Sequence, residues 1–155
     1  MQFTTKLQRC LIIISLFVFA SSSARAGTIN VIYTPEIADT YTGRVYLMTS
    51  QGWGEPRFGP GWFEPNPIFA IDVQQWKPGV PLTFDDNAMG FPDHLSKLSE
   101  GDWNVQAVMR LNPDAPSPGG VGNAYSKKKS IEVNQNNNDS ITITIDQIAK
   151  APQLP

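Results

Sequence analysis

The chain of 155 residues carries 12 Lys and Arg against 14 Asp and Glu, with one histidine (His94) and one cysteine (Cys10). A single imidazole excludes metal sites built on two or more histidines, and any charge relay that bypasses His94. A single thiol excludes thiolate zinc sites and iron–sulfur clusters, and the acidic balance repels phosphate backbones, so nucleic acid is not an expected partner.

Along the chain, Lys6 and Arg9 precede a largely apolar run from Cys10 to Ala20, and a small polar segment then ends in Ala24-Arg25-Ala26. A positive start, a short apolar centre and an A-x-A site predict a secretory signal peptide over residues 1–26, cleaved after Ala26. The apolar run is shorter than the roughly 20 residues a membrane span requires, so no membrane association is expected after cleavage. Cys10 opens the run rather than following it, which argues against a lipid anchor. Cleavage removes Lys6, Arg9 and Arg25 without an acid, so the balance falls from −2 to −5, and it removes the only thiol. The remaining 129 residues suit one secreted or periplasmic domain over 27–150, held by its own core without disulfides.

Past the leader, helical periodicity is almost absent. Residues 28–33 read as a β-run that stops at Pro35. Residues 43–49 alternate, with Val45 and Leu47 on one face and Arg44, Tyr46 and Met48 on the other. The stretch from Ser50 to Pro67 (SQGWGEPRFGPGWFEPNP) is unlike a linker, because it combines four prolines and four glycines with four large aromatic rings. A loop longer than about 12–15 residues is usually functional or packed on itself. Two readings are open. Trp53, Phe58, Trp62 and Phe63 cap one end of the domain, or Trp53, Arg57, Phe58, Trp62 and Phe63 form a recognition surface for a partner domain or a carbohydrate.

Residues 68–73 and 81–84 are a third and a fourth β-run. Asp85-Asp86 then reads as a strand terminator and turn cap, because adjacent side chains on a strand point to opposite faces. Residues 92–98 (PDHLSKL) fit one helical turn, with Leu95 and Leu98 on a shared face. Residues 102–111 alternate clearly, placing Trp103, Val105, Ala107 and Met109 inward and Asn104, Gln106 and Arg110 outward. Val108 interrupts the polar face and predicts that this face is partly covered. Trp103 follows Leu98-Ser-Glu-Gly101 and fits the corner that a tyrosine occupies in immunoglobulin-like sandwiches. Residues 112–123 form a loop, and Lys127 to Lys129 read as a solvated strand edge. Residues 130–133 and 140–145 are expected to form the last pair across a polar turn, with Ile141, Ile143 and Ile145 inward. About seven short strands with Pro- and Gly-rich connections predict an all-β, immunoglobulin-like antiparallel sandwich carrying one long aromatic loop.

Chemistry-bearing motifs are scarce. No G-x-S-x-G elbow exists, and His94 lies in a polar turn beside Asp93, which is too close in sequence to orient it. Asp85 and Asp86 lack the spacing of a calcium loop. No catalytic residue, cofactor or metal site is therefore expected.

The segments GRVYLM (43–48), EPRFGPGWFEPNPIFAIDVQQWKPG (55–79), GFP (90–92), GDWNVQAVMRLN (101–112) and GNAYSK (122–127) together resemble the N-terminal domain of exported, enterochelin esterase-like α/β-hydrolase proteins. The resemblance implies an immunoglobulin-like sandwich ahead of a catalytic unit, with residues 151–155 standing where the linker to that unit begins. None of that family's catalytic residues has a matching position here. The expected function is thus that of an exported, non-catalytic accessory or interaction domain. Its partners would be a hydrolase domain or a second copy, met through the stretch from Ser50 to Pro67. A carbohydrate-binding module using the loop aromatics, or part of an esterase whose hydrolase domain is a separate chain, are the alternatives.

Overall fold

The computed structural model describes residues 27–59, 65–134 and 140–151. Among them are nine strands: β1 (Ile29–Tyr33), β2 (Tyr41–Ser50), β3 (Ile68–Trp76), β4 (Leu82–Phe84), β5 (Met89–Phe91), β6 (Gly101–Met109), β7 (Ala124–Ser126), β8 (Lys129–Val133) and β9 (Ile141–Ile148). The helical segments among the described residues are two 3₁₀ turns, Pro56–Phe58 and Leu95–Lys97. No helix among them is long and apolar enough to cross a membrane. The expected signal peptide, most of the polar turn (135–139) and the end of the tail (152–155) lie outside the described residues.

The fold is an all-β sandwich. Hydrogen bonding runs in the order β4-β1-β9-β7-β6-β2-β3-β5, with β8 also on β6. One layer is β4-β1-β9-β7 and the other is β8-β6-β2-β3-β5, and β7 joins them by pairing with both β6 and β9. Alternation decides which residues meet between the layers. Ile29, Val31, Tyr33, Phe84, Ile143 and Ile145 come from the first layer; Val45, Leu47, Phe69, Trp103, Val105, Ala107 and Met109 come from the second, and all belong to one buried cluster. Leu95 and Leu98 of the short turn between β5 and β6 complete it. Arg44 on β2 donates twice to Asp72 on β3, at 2.7 Å each, and holds that exposed carboxyl below its ordinary pKa.

All seven strands read from the sequence are present, and two more accompany them. These are β5 and β7, of three residues each, which lie in Gly-containing stretches without an apolar run or alternation to mark them. Two details of pairing differ from expectation. The strands at 130–133 and 140–145 are not partners: β8 pairs with the first half of β6, and β9 pairs with β1 and β7. The β1–β9 pairing is parallel, with Ile29 beside Ile141, Val31 beside Ile143 and Tyr33 beside Ile145. No hairpin joins these distant segments to impose an antiparallel sense. What aligns them is two apolar rows that share a face.

The long strand β6 changes partner midway. Gly101 to Val105 face β8, and Val108 and Met109 face β7. At the switch, the Ala107 N–H donates to the Ser126 hydroxyl (2.9 Å) and the Gln106 side-chain amide donates to the Ser126 carbonyl (2.8 Å). The second face of β2 and β6 is buried too, at Met48, Ser50, Gln106 and Val108. The expectation drawn from Val108 is thereby met.

Candidate interaction surface

The cover over that second face is the aromatic turn itself. Pro56 is buried, and the 3₁₀ turn it opens packs on β2 and β6. The Arg57 N–H donates to Gln106 Oε1 at 3.0 Å, tying the turn to the middle of β6. Arg57 Nη1 donates to the Gly119 carbonyl at 3.1 Å, and Arg57 Nε pairs with Glu55. The guanidinium lies 4.1 Å from the ring centres of both Phe58 and Tyr125. A cation over an aromatic face is attracted by the ring quadrupole, most strongly where water is excluded. The Arg57 side chain is only 14% exposed. Gly119 has to be glycine here, because a Cβ at that position would run into the Arg57 carbonyl.

Around Arg57 opens a groove of about 810 Å³ between the turn, the loop at 117–121 and the ends of β7 and β9. Phe58 (65% exposed), Val121 (47%) and Ile148 (41%) give it apolar walls, while Asp146 and Lys150 put both charge signs on its rim. The groove is the larger of two surface features on the stretch that follows β2.

The other is Trp53, which is 98% exposed. Its backbone is held from beneath: Asn104 Nδ2 donates to the Gly52 carbonyl (2.9 Å), and Lys128 Nζ donates to the Trp53 carbonyl (2.9 Å). Ser130 in turn donates to Asn104 Oδ1 (2.8 Å), and the Gly52 N–H donates to the Ser50 hydroxyl (3.1 Å). Beside the ring lies a shallow pocket of about 300 Å³, lined by Gln51, Gly52, Trp53, Asn104, Lys128 and Ser130.

The end-capping reading of the aromatic rings fails for Trp53 and Phe58. The turn covers the outer face of β2 and β6 with Pro56 and with backbone bonds, and it leaves both rings to solvent. Arg57 and Phe58 come together in the groove, Trp53 stands apart from them, and Trp62 and Phe63 lie outside the described residues. The sequence reading missed Tyr125, Val121 and Ile148, which reach the groove from distant strands and loops, and Asn104 and Lys128, which support Trp53. Val108, apolar on the otherwise polar face of β6, was the one local signal of the covered face.

The remaining candidates are accounted for locally. His94 is exposed. Asp85 Oδ1 accepts from the Asn87 N–H and Asp86 Oδ1 from the Ser96 N–H, both at 2.8 Å, so both carboxylates cap turns as expected. Lys127, Lys128 and Lys129 are exposed at the start of the edge strand β8. Among the described residues, no three His, Cys, Asp or Glu side chains converge as metal ligands. No family model matches this chain, and neither a curated protein nor a solved structure is significantly similar to it.

Proposed function

We propose that this chain is an exported, non-catalytic interaction domain whose groove at Arg57 and Phe58 docks a partner protein domain. The observation that carries the reading is the clustering of Phe58, Val121 and Ile148, three exposed apolar side chains, around one groove with a charged rim. Contiguous exposed apolar surface rimmed by polar groups marks protein contacts. Residues 146–150 line this groove, so a domain that follows residue 151, as the resemblance to esterase-like proteins implies, would emerge beside it. A separate hydrolase chain or a second copy would meet the same surface. The absence of a nucleophile elbow from the sequence and an exposed lone histidine support a non-catalytic role.

Sedimentation velocity tests this on the chain beginning at Gly27, alone and mixed with an exported α/β-hydrolase domain encoded beside it. Association is expected in one of the two samples. Truncating a ring at the centre of an interface costs about 2 kcal/mol or more, so Phe58→Ala should weaken association more than tenfold, and Ile148→Ala by less. A monomer in both samples rejects the docking role, and turnover of short-chain aryl esters by the purified domain rejects the non-catalytic one.

A further inference from the structure

Trp53 serves neither the core nor the groove. It is the largest side chain in the sequence's repertoire, it is 98% exposed, and its turn is fixed by hydrogen bonds from two other segments of the fold and by one local bond from the Gly52 N–H to the Ser50 hydroxyl. A floppy loop would let the indole fold back onto apolar surface and escape water. Here Asn104 and Lys128 grip the carbonyls of Gly52 and Trp53, so the backbone that carries the exposed ring is fixed.

We propose that Trp53 is a stacking platform for one pyranose ring of a polysaccharide, a second binding site independent of the docking groove. A pyranose with equatorial hydroxyls presents a flat face of C–H groups, which covers an indole face, and a rim of hydroxyls, which needs donors and acceptors at the edge. The pocket beside Trp53 has that composition: one flat apolar ring surrounded by Gln51, Asn104, Lys128 and Ser130, with no carboxylate among its lining residues. The ammonium of Lys128 has three donors and spends one on the Trp53 carbonyl, so two remain for sugar oxygens. The volume of about 300 Å³ lies at the small end of ligand sites, which run to roughly 1,000 Å³, and suits one or two sugar units bound weakly from an open surface.

The test uses the chain from Gly27 with cellohexaose as the neutral probe and hexagalacturonate as the anionic one. Titrations are followed by the Trp53 indole N–H signal in a proton–nitrogen spectrum and by calorimetry. The expected result is a saturable shift of that signal with at least one probe, loss of binding by tenfold or more in Trp53→Ala, and its retention in Trp53→Tyr. Asn104→Ala, which releases the Gly52 carbonyl, is expected to weaken binding several-fold with the domain still folded. Phe58→Ala should leave sugar binding unchanged, and Trp53→Ala should leave partner docking unchanged, so each site can fail without the other. No shift with either probe overturns the proposal, and so does binding that persists in Trp53→Ala.

Discussion

Trp103 does two jobs at one corner. Its ring is 6% exposed and joins the core, and its indole N–H donates to the Ser99 carbonyl at 2.8 Å, closing the bend that feeds β6. Gly101 makes the bend feasible, since its φ of +126° is a conformation that residues with a Cβ rarely adopt. Trp103→Ala should cost about 3–5 kcal/mol, a large share of the roughly 5–15 kcal/mol by which a domain is stable. Trp103→Phe keeps a ring in the core and leaves the Ser99 carbonyl unpaired, so a loss nearer 1 kcal/mol is expected for the hydrogen bond. Urea unfolding of the two variants separates the contributions; a Trp103→Ala midpoint equal to wild type would falsify the core assignment. This residue was legible in the sequence, because apolar side chains at every second position from Trp103 to Met109 mark one face for the core. Arg57 was legible only as part of an unusual block. Its partners Gln106, Gly119 and Tyr125 are set by tertiary approach, which no local pattern encodes.

At the scale of elements, the strands with five or more residues, and the three-residue β4, announced themselves through apolar or alternating runs, whereas β5 and β7 did not. Met89, Gly90 and Phe91 are all exposed, so no buried face marks β5 as a strand. The sense and partner of β8 and β9 were likewise illegible, since pairing between distant segments is chosen by matching buried rows rather than by a turn. For the stretch from Ser50 to Pro67, composition signalled order but not direction, as an aromatic ring in a loop reads the same whether it faces in or out. Gln106 decides the matter. It is 1% exposed, accepts from the Arg57 N–H and donates to the Ser126 carbonyl, so it fastens both the turn and the partner switch of β6. Gln106→Leu preserves much of the volume and leaves those backbone groups without their partner, at about 1–3 kcal/mol per buried group. Hydrogen exchange is the informative measurement. The Arg57 amide should exchange much faster in the variant while the amides of β1 keep their protection, and uniform loss of protection would mean that Gln106 supports the whole core instead of the turn.

The whole molecule closes through its first strand. β1 lies between β4 and β9, and its Ile29, Val31 and Tyr33 are at most 1% exposed. Tyr33 also donates from its hydroxyl to the Trp76 carbonyl at 2.6 Å and sets its ring edge-on to Trp76, 4.6 Å between centres, so β1 ties the end of β3 to the opposite layer. A strand drawn from the start of the chain therefore completes a sheet whose other members come from its middle and its end. The expected cleavage after Ala26 leaves Gly27, two residues ahead of β1, which keeps every one of these contacts. Export with cleavage at the A-x-A site is expected to give an intact mass that begins at Gly27. A chain shortened to begin at Thr34 lacks β1 entirely and would leave Phe84, Ile143 and Ile145 facing an empty lane between β4 and β9. With no thiol beyond residue 26, a disulfide cannot compensate for the loss. The shortened chain is expected to show collapsed amide dispersion and no cooperative thermal transition, while the chain from Gly27 unfolds in one step. Well-dispersed amide signals from the Thr34 chain would mean that β4 and β9 can close on each other, and that β1 decorates the sandwich rather than completing it.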